Sequence, residues 1–401
     1  MNPVVAFTVV MLVWTISDFV AKKTKSLLSS LFVASIIFLI GFLTGLFPHD
    51  LLTASSLLAL AGVVVGFIIV HLGTMISLED FIKQWKTLLI GISTVVGIGV
   101  ALYVASLIFG GRISGSAQDG YAQARDFVIA GTGALSGGAI SVILVQEAAL
   151  GVGLTSVAIF PVLIAALQGL VGFPLTSLIL KREAARLKGE YRDGNLTPTE
   201  TLQAEATAQS RLPAALTTTA GTLFVVGIAV LVSIGINNLT DGVLNTFVVA
   251  LILGIALRTL GIFKPSVLGG IDALGLMMIA IMILIFGPLA TITPDDVSSL
   301  AEPLIIAFVF GIVGIGVFST LVGKLLGYSI PMSVAIGLTS LYGFPGTLIL
   351  SQEAARGAGE SPEEVAAIEH EILPKMIVAG FSTVTITSVI VTSVLVGRIG
   401  G

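Results

Sequence analysis

Twelve apolar segments, most of them long enough to cross a bilayer, leave this chain few folds to choose from. They run approximately over 3–20, 28–47, 54–77, 87–110, 127–150, 155–180, 213–236, 241–260, 266–290, 303–323, 330–355 and 372–396. A crossing helix takes about 20 predominantly apolar residues. In lipid every backbone amide and carbonyl must be paired within the protein, which admits helices and closed barrels. Segments of this length read as helices. Charged residues are only 10% of the 401, against roughly a quarter in a soluble globular chain, and they cluster between the apolar runs. The 46 glycines suit helices whose backbones approach closely. The expected fold class is an all-α polytopic membrane protein. Asn2 to Val20 has no Lys or Arg ahead of it, whereas Lys22, Lys23 and Lys25 follow. A secretory signal has the opposite arrangement, so this segment reads as a retained first span with the N-terminus outside.

The two halves of the chain resemble each other. Val96-Gly97-Ile98-Gly99-Val100 recurs as Val313-Gly314-Ile315-Gly316-Val317, and Ile76-Ser77-Leu78-Glu79-Asp80 lines up with Ile292-Thr293-Pro294-Asp295-Asp296. Leu144-Val145-Gln146-Glu147 matches Leu350-Ser351-Gln352-Glu353, each following a Gly-rich polar stretch, and Phe160-Pro161 and Leu373-Pro374 open the last span of each half. Four matches in one order mark an internal repeat. Residues 1–180 form one half and 213–401 the other, with the hydrophilic stretch 181–212 as a cytoplasmic linker whose Ala- and Glu-rich composition suits a surface helix.

Charge then sets the topology. The positive-inside rule places Lys22, Lys23, Lys25, Lys83 and Lys86 in the cytoplasm. It keeps the basic linker there only if 127–150 dips into the membrane and returns. Its Gly-rich break leaves two arms of about ten residues, each about 15 Å long, half the depth of the hydrocarbon. The same reasoning makes 330–355 a second re-entrant hairpin. Each half thus holds five spans and one hairpin. An odd number of spans inverts the second half relative to the first, puts both termini outside, and leaves only Arg112, Arg125 and Arg398 of the Lys and Arg residues outside.

Broken helices at membrane depth are tolerated where they line a protein cavity, and a matching pair in inverted repeats points to a transporter's binding site. The candidate solute- and ion-binding residues are therefore Ser136, Gly137, Gly138 and Ser141 in the first hairpin and Thr339, Ser340, Tyr342, Gly343 and Thr347 in the second. Glycines and serines also serve helix packing; the duplication favours a site. Gln146, Gln352 and Gln168 are further candidates, as polar groups within apolar segments. Lys375 reads either as a side chain snorkelling to the cytoplasm or as a counter-charge for an anion. Glu147 and Glu353 end the hairpins' second arms, within reach of the headgroups. Asp18 beside Lys22 reads as a surface ion pair, and His71 as a hydrogen-bonded structural histidine.

Enzyme signatures are missing. Of the three histidines, His49, His71 and His370, no pair has metal-ligand spacing, and cysteine is absent. No phosphate-binding loop for ATP-driven pumping is present, and no basic stretch suggests nucleic acid. The chain reads as no enzyme, with no cofactor and no structural metal.

With Ser136-Gly137-Gly138 and Tyr342-Gly343-Phe344 as the tips of two hairpins, the chain resembles the bacterial sodium/glutamate symporter family in architecture. Ala139-Ile140-Ser141 stands where that family has a His-Gly-Thr type sequence, and the usual Gly and Thr-Pro run after Phe344 is missing. The resemblance implies a homodimeric, elevator-type carrier in the bacterial plasma membrane. It would move a small organic anion, such as glutamate or another amino acid or carboxylate, with sodium or else protons. A cation/proton antiporter and a non-transporting membrane sensor are the alternatives.

Overall fold

The computed structural model describes residues 1–113, 124–196, 211–240, 244–269 and 271–400. Among them every regular element is a helix. The first half runs α1 (Pro3–Lys23), α2 (Ser30–Leu43), α3 (Leu57–Met75), α4 (Trp85–Ile113), α5 (Ala124–Leu135), α6 (Ala139–Gly151) and α7 (Thr155–Arg192). The second runs α8 (Thr219–Leu239), α9 (Thr246–Thr259), α10 (Leu274–Phe286), α11 (Ala301–Leu325), α12 (Ile330–Leu338), α13 (Gly346–Ala358) and α14 (Pro362–Phe381). A π-helical turn, Ser382–Thr387, joins α14 to α15 (Ser388–Val396). This is an all-α polytopic membrane protein, with eight helices among the described residues long and apolar enough to cross a bilayer.

Local chemistry explains where the helices begin. Asn2, Ser29, Thr218, Asn245, Ser329 and Ser361 precede α1, α2, α8, α9, α12 and α14, and each side-chain oxygen accepts an amide of the first turn. Such caps satisfy donors that the helix leaves unpaired. The helix order repeats in the two halves, down to the short helices Leu78–Lys83 and Pro294–Ser299 that follow the matched Ile76 and Ile292. Both isoleucines are extended and buried.

The two copies of the Val-Gly-Ile-Gly-Val motif meet each other. Lys86 Nζ donates to the Leu326 carbonyl (3.1 Å), Ser93 Oγ lies 3.5 Å from the Phe318 carbonyl, and Gly97 packs on Gly314. As the number rises on α4 it falls on α11, so the helices cross antiparallel. The approach is close enough that a Cβ on Gly314 would lie 2.3 Å from the Gly97 oxygen. A similar contact joins α3 to α9, where a Cβ on Gly254 would lie 2.3 Å from the Val70 oxygen. Small residues permit this van der Waals packing, the main attraction between helices in lipid. His71 is buried in α3, where Nδ1 accepts the Leu268 amide (3.2 Å). Thr74 Oγ1 accepts the Val267 amide (3.0 Å), which fastens the α9–α10 connection. His71 is thus the structural histidine expected.

The helices differ in extent from the expected segments in three places. The expected linker opens as helix: α7 continues through residue 181 to Arg192, for 38 residues. Ala, Leu, Lys, Arg and Glu are good helix formers, and Glu183, Arg186 and Glu190 pair at helical spacing. Residues 28–47 and 241–260 become helices of only 14 residues each, about 21 Å long. The helices flanking the two Gly-rich breaks span 124–135 with 139–151, and 330–338 with 346–358, against the expected 127–150 and 330–355. Residues 114–123 and 197–210, the places of the expected loop and linker, and the side chains of Asp80, Arg112 and Asp296 lie outside the described residues.

Candidate functional site

The two helix breaks meet in the interior. In the first, α5 ends at Leu135 and Gly137 (φ +84°) and Gly138 (φ +154°) carry the chain into α6. In the second, α12 gives way to a 3-10 turn, Thr339–Leu341, and Gly343 (φ +57°) precedes α13. A Cβ on Gly137 would lie 2.2 Å from the Ser340 carbonyl oxygen of the opposite break. One on Gly138 would lie 2.3 Å from the Val384 carbonyl, in the π-helical turn. Only glycine combines this backbone conformation with so close an approach.

The π-helical turn completes the junction. Ser388 Oγ lies 3.0 Å from Ser136 Oγ and 2.5 Å from Ser141 Oγ, and Thr383 Oγ1 lies 3.4 Å from Thr339 Oγ1. All five of these hydroxyl residues are fully buried. Turns of this type recur at functional sites. The geometry therefore joins Ser136, Gly137, Gly138, Ser141, Thr339, Ser340 and Gly343 around one turn of the last span. Helices α6 and α13 start here while α5 and α12 end here. Partial positive and partial negative helix ends are thus both present, with no charged side chain among the junction residues.

Beside the junction several buried polar atoms have no protein partner: Ser340 Oγ, Tyr342 OH, Thr347 Oγ1, Gln168 Oε1 and Thr176 Oγ1. Buried polar groups are nearly always paired, and each one left dry costs about 1–3 kcal/mol. Tyr342 OH faces Thr176 without completing a hydrogen bond of good geometry. The Tyr342 ring packs on Phe173 (centroids 5.4 Å apart) and against Gly172 and Gly346. Gln168, Gly169, Phe173, Leu341, Tyr342 and Ser35 line a cavity of about 80 Å³. That is room enough for ordered water. Thr347 packs on Gly380 of α14. This patch of orphaned hydrogen-bonding groups lies next to the place where two interrupted helices touch.

No protein-family model matches this chain, and no curated protein matches it.

Other expected site residues lie apart from the junction. Gln146 is half-buried on α6. Gln352 Nε2 donates to Glu369 Oε1 (3.1 Å) on α14. Lys375 Nζ donates to Glu371 Oε2 (2.6 Å) and to the Glu371 carbonyl (2.8 Å). It lines a separate, open cavity of about 450 Å³ with Lys83, Lys86, Arg186 and Glu183. Asp18 pairs with Lys22 at 2.6 Å, as expected of a surface ion pair. Glu147 is exposed, whereas its counterpart Glu353 is not. Among the described residues no three His, Asp or Glu side chains gather as a metal would require. The sequence reading missed Phe173, Thr176, Thr383, Val384 and Ser388. The dense run of hydroxyls from Ser382 to Thr392 in an otherwise apolar segment was the signal for the last three.

Proposed function

We propose that this protein is a secondary transporter built from two inverted repeats, in which the touching helix breaks hold the solute near mid-membrane. The observation that carries this reading is the contact of Gly137 with the Ser340 carbonyl, beside buried polar atoms that lack partners. A polar solute or coupling ion supplies those partners, and the helix ends supply complementary partial charge without a fixed side-chain charge. The solute class is a small organic anion, glutamate or another amino acid or carboxylate first. Sodium is the favoured coupling ion, and protons are the other candidate. The carrier works as a homodimer in a bacterial plasma membrane, one part moving against the other.

Uptake of labelled glutamate into proteoliposomes tests this, under an inward sodium gradient and separately under a proton gradient. Accumulation under either identifies solute and ion together. No uptake by folded protein removes glutamate. Single cysteines introduced over 130–145 and 336–350 then test transport itself, because labelling from both aqueous sides is the mark of alternating access. Finding those positions reachable from one side only, under every gradient, ends the transport reading.

Tyr342→Phe separates a binding role from a structural one. Removing an orphaned buried hydroxyl relieves a desolvation penalty, so thermal stability stays level or rises by up to about 1 kcal/mol. Uptake falls at least about tenfold if the hydroxyl contacts solute, since tenfold corresponds to about 1.4 kcal/mol. A melt and an uptake assay on one preparation check both parts.

A further inference from the structure

The second hairpin, α12–α13, is fastened to the first half of the chain by a carboxyl group. The turn between α1 and α2 holds two non-glycine residues in left-handed conformation, Lys25 (φ 50°) and Ser26 (φ 57°). Non-glycine residues hold such a conformation when their surroundings impose it, and here those surroundings are α13 and α7. Ser26 Oγ donates to the Glu353 carbonyl (3.0 Å), and Ser177 of α7 donates to the Ser26 carbonyl. Glu353 Oε1 accepts both the amide (3.0 Å) and the hydroxyl of Ser30, the first residue of α2. Glu353 Oε2 is enclosed and has no partner.

Two opposed effects act on this carboxyl. The N-terminus of α2 favours a negative charge. Enclosure with one oxygen unpartnered disfavours it. The charged groups nearby are Asp18 on α1, held by Lys22 at 2.6 Å, and Arg356 on α13 itself. Lys25 stands exposed on the turn, while α7 presents the neutral Ser177. No salt bridge reaches Glu353 among the described residues. Glu147, its counterpart in the first hairpin, is exposed, so only one hairpin is held in this way.

We propose that Glu353 is a proton-binding site that fastens the second hairpin to the start of α2 when ionised and loosens it when protonated. A hydrogen bond to an ionised acceptor is about twice as strong as one to a neutral acceptor. Proton uptake therefore weakens both bonds from Ser30 at once. The transport reading enters only in what the release accomplishes, namely freeing a hairpin to move; the seam itself can be tested without any solute.

Hydrogen exchange of the full-length protein, followed by mass spectrometry on a peptide covering 27–34, reads the seam directly. With intrinsic exchange rates divided out, wild-type protection falls about tenfold between about pH 8.5 and about pH 5.5. Glu353→Gln is poorly protected at both, with no pH dependence, and Ser30→Ala is weakened yet still pH-dependent. Asp18→Asn follows wild type.

The ionic contacts at the mouth of the same hairpin do not interfere. Lys188 and Arg192 donate to Glu360 at 2.6 and 2.8 Å and hold its carboxyl down to about 2. A depressed carboxylate contributes above its ordinary range and is lost only as the pH falls toward about 2, below this window. Flat wild-type protection overturns the proposal, and so does Glu353→Gln that still responds to pH. Should Glu353→Gln fail to fold, the wild-type and Ser30→Ala profiles decide. A negative result here, with glutamate uptake intact, rejects the proton site and leaves the transporter.

Discussion

Gly137→Ala is expected to abolish uptake and to destabilise the protein by about 2–5 kcal/mol, from overpacking (about 1–3) and a left-handed backbone (about 1–2). The added Cβ would lie 2.2 Å from the Ser340 carbonyl oxygen and 2.8 Å from Val384 Cγ2. The oxygen belongs to the backbone of the opposite break and cannot turn aside as a flexible side chain could. Relief requires the two breaks to separate, which takes apart the surface proposed to bind solute. Gly151→Ala is the control, because a Cβ there has nothing within 4 Å. Thermal melts of the two variants in one detergent, with an uptake assay on each, check the prediction. Equal stability of Gly137→Ala and wild type would mean that the breaks do not touch as described.

The second large effect lies where α4 and α11 cross. Gly314→Ala would put a Cβ 2.3 Å from the Gly97 oxygen and 2.9 Å from Ala101 Cβ. Two residues on, Gly316→Ala meets nothing within 4 Å. The same substitution should therefore act with opposite sign at the two positions. Position 314 loses about 1–3 kcal/mol by overpacking. Position 316 gains up to about 1 kcal/mol from the better helix propensity of alanine. Because the crossing joins the two halves of the chain, Gly314→Ala should also weaken their association. That is measurable by splitting the chain within 197–210 and copurifying the halves. Similar melting temperatures for the two alanine variants would remove the close crossing from the account.

The same comparison shows what can be read from a sequence of this kind. Apolar length and Gly-rich interruption sufficed for the helical class, for the order of the helices and for both breaks. These are local properties: about 20 apolar residues make a helix that lipid will accept, and glycine beside polar residues ends one early. The position of Ser136, Gly137, Ser340 and Gly343 at the tips is of the same kind.

Local patterns could not say what each polar side chain meets across the bundle. Lys375 and Gln352 share the polarity of the tip residues but are satisfied on α14, by Glu371 and Glu369. Glu147 and Glu353 occupy equivalent places in matching motifs, yet only Glu353 meets the first turn of α2. The charged run after residue 180 suits a surface helix by composition, but only the structure shows it as an unbroken continuation of α7 with Glu183, Arg186 and Glu190 paired along it. Apolar length along one segment determines that a helix exists there. The partner of a buried hydroxyl, carboxyl or amide depends on which distant segment arrives there, and only the tertiary packing of all the helices decides that.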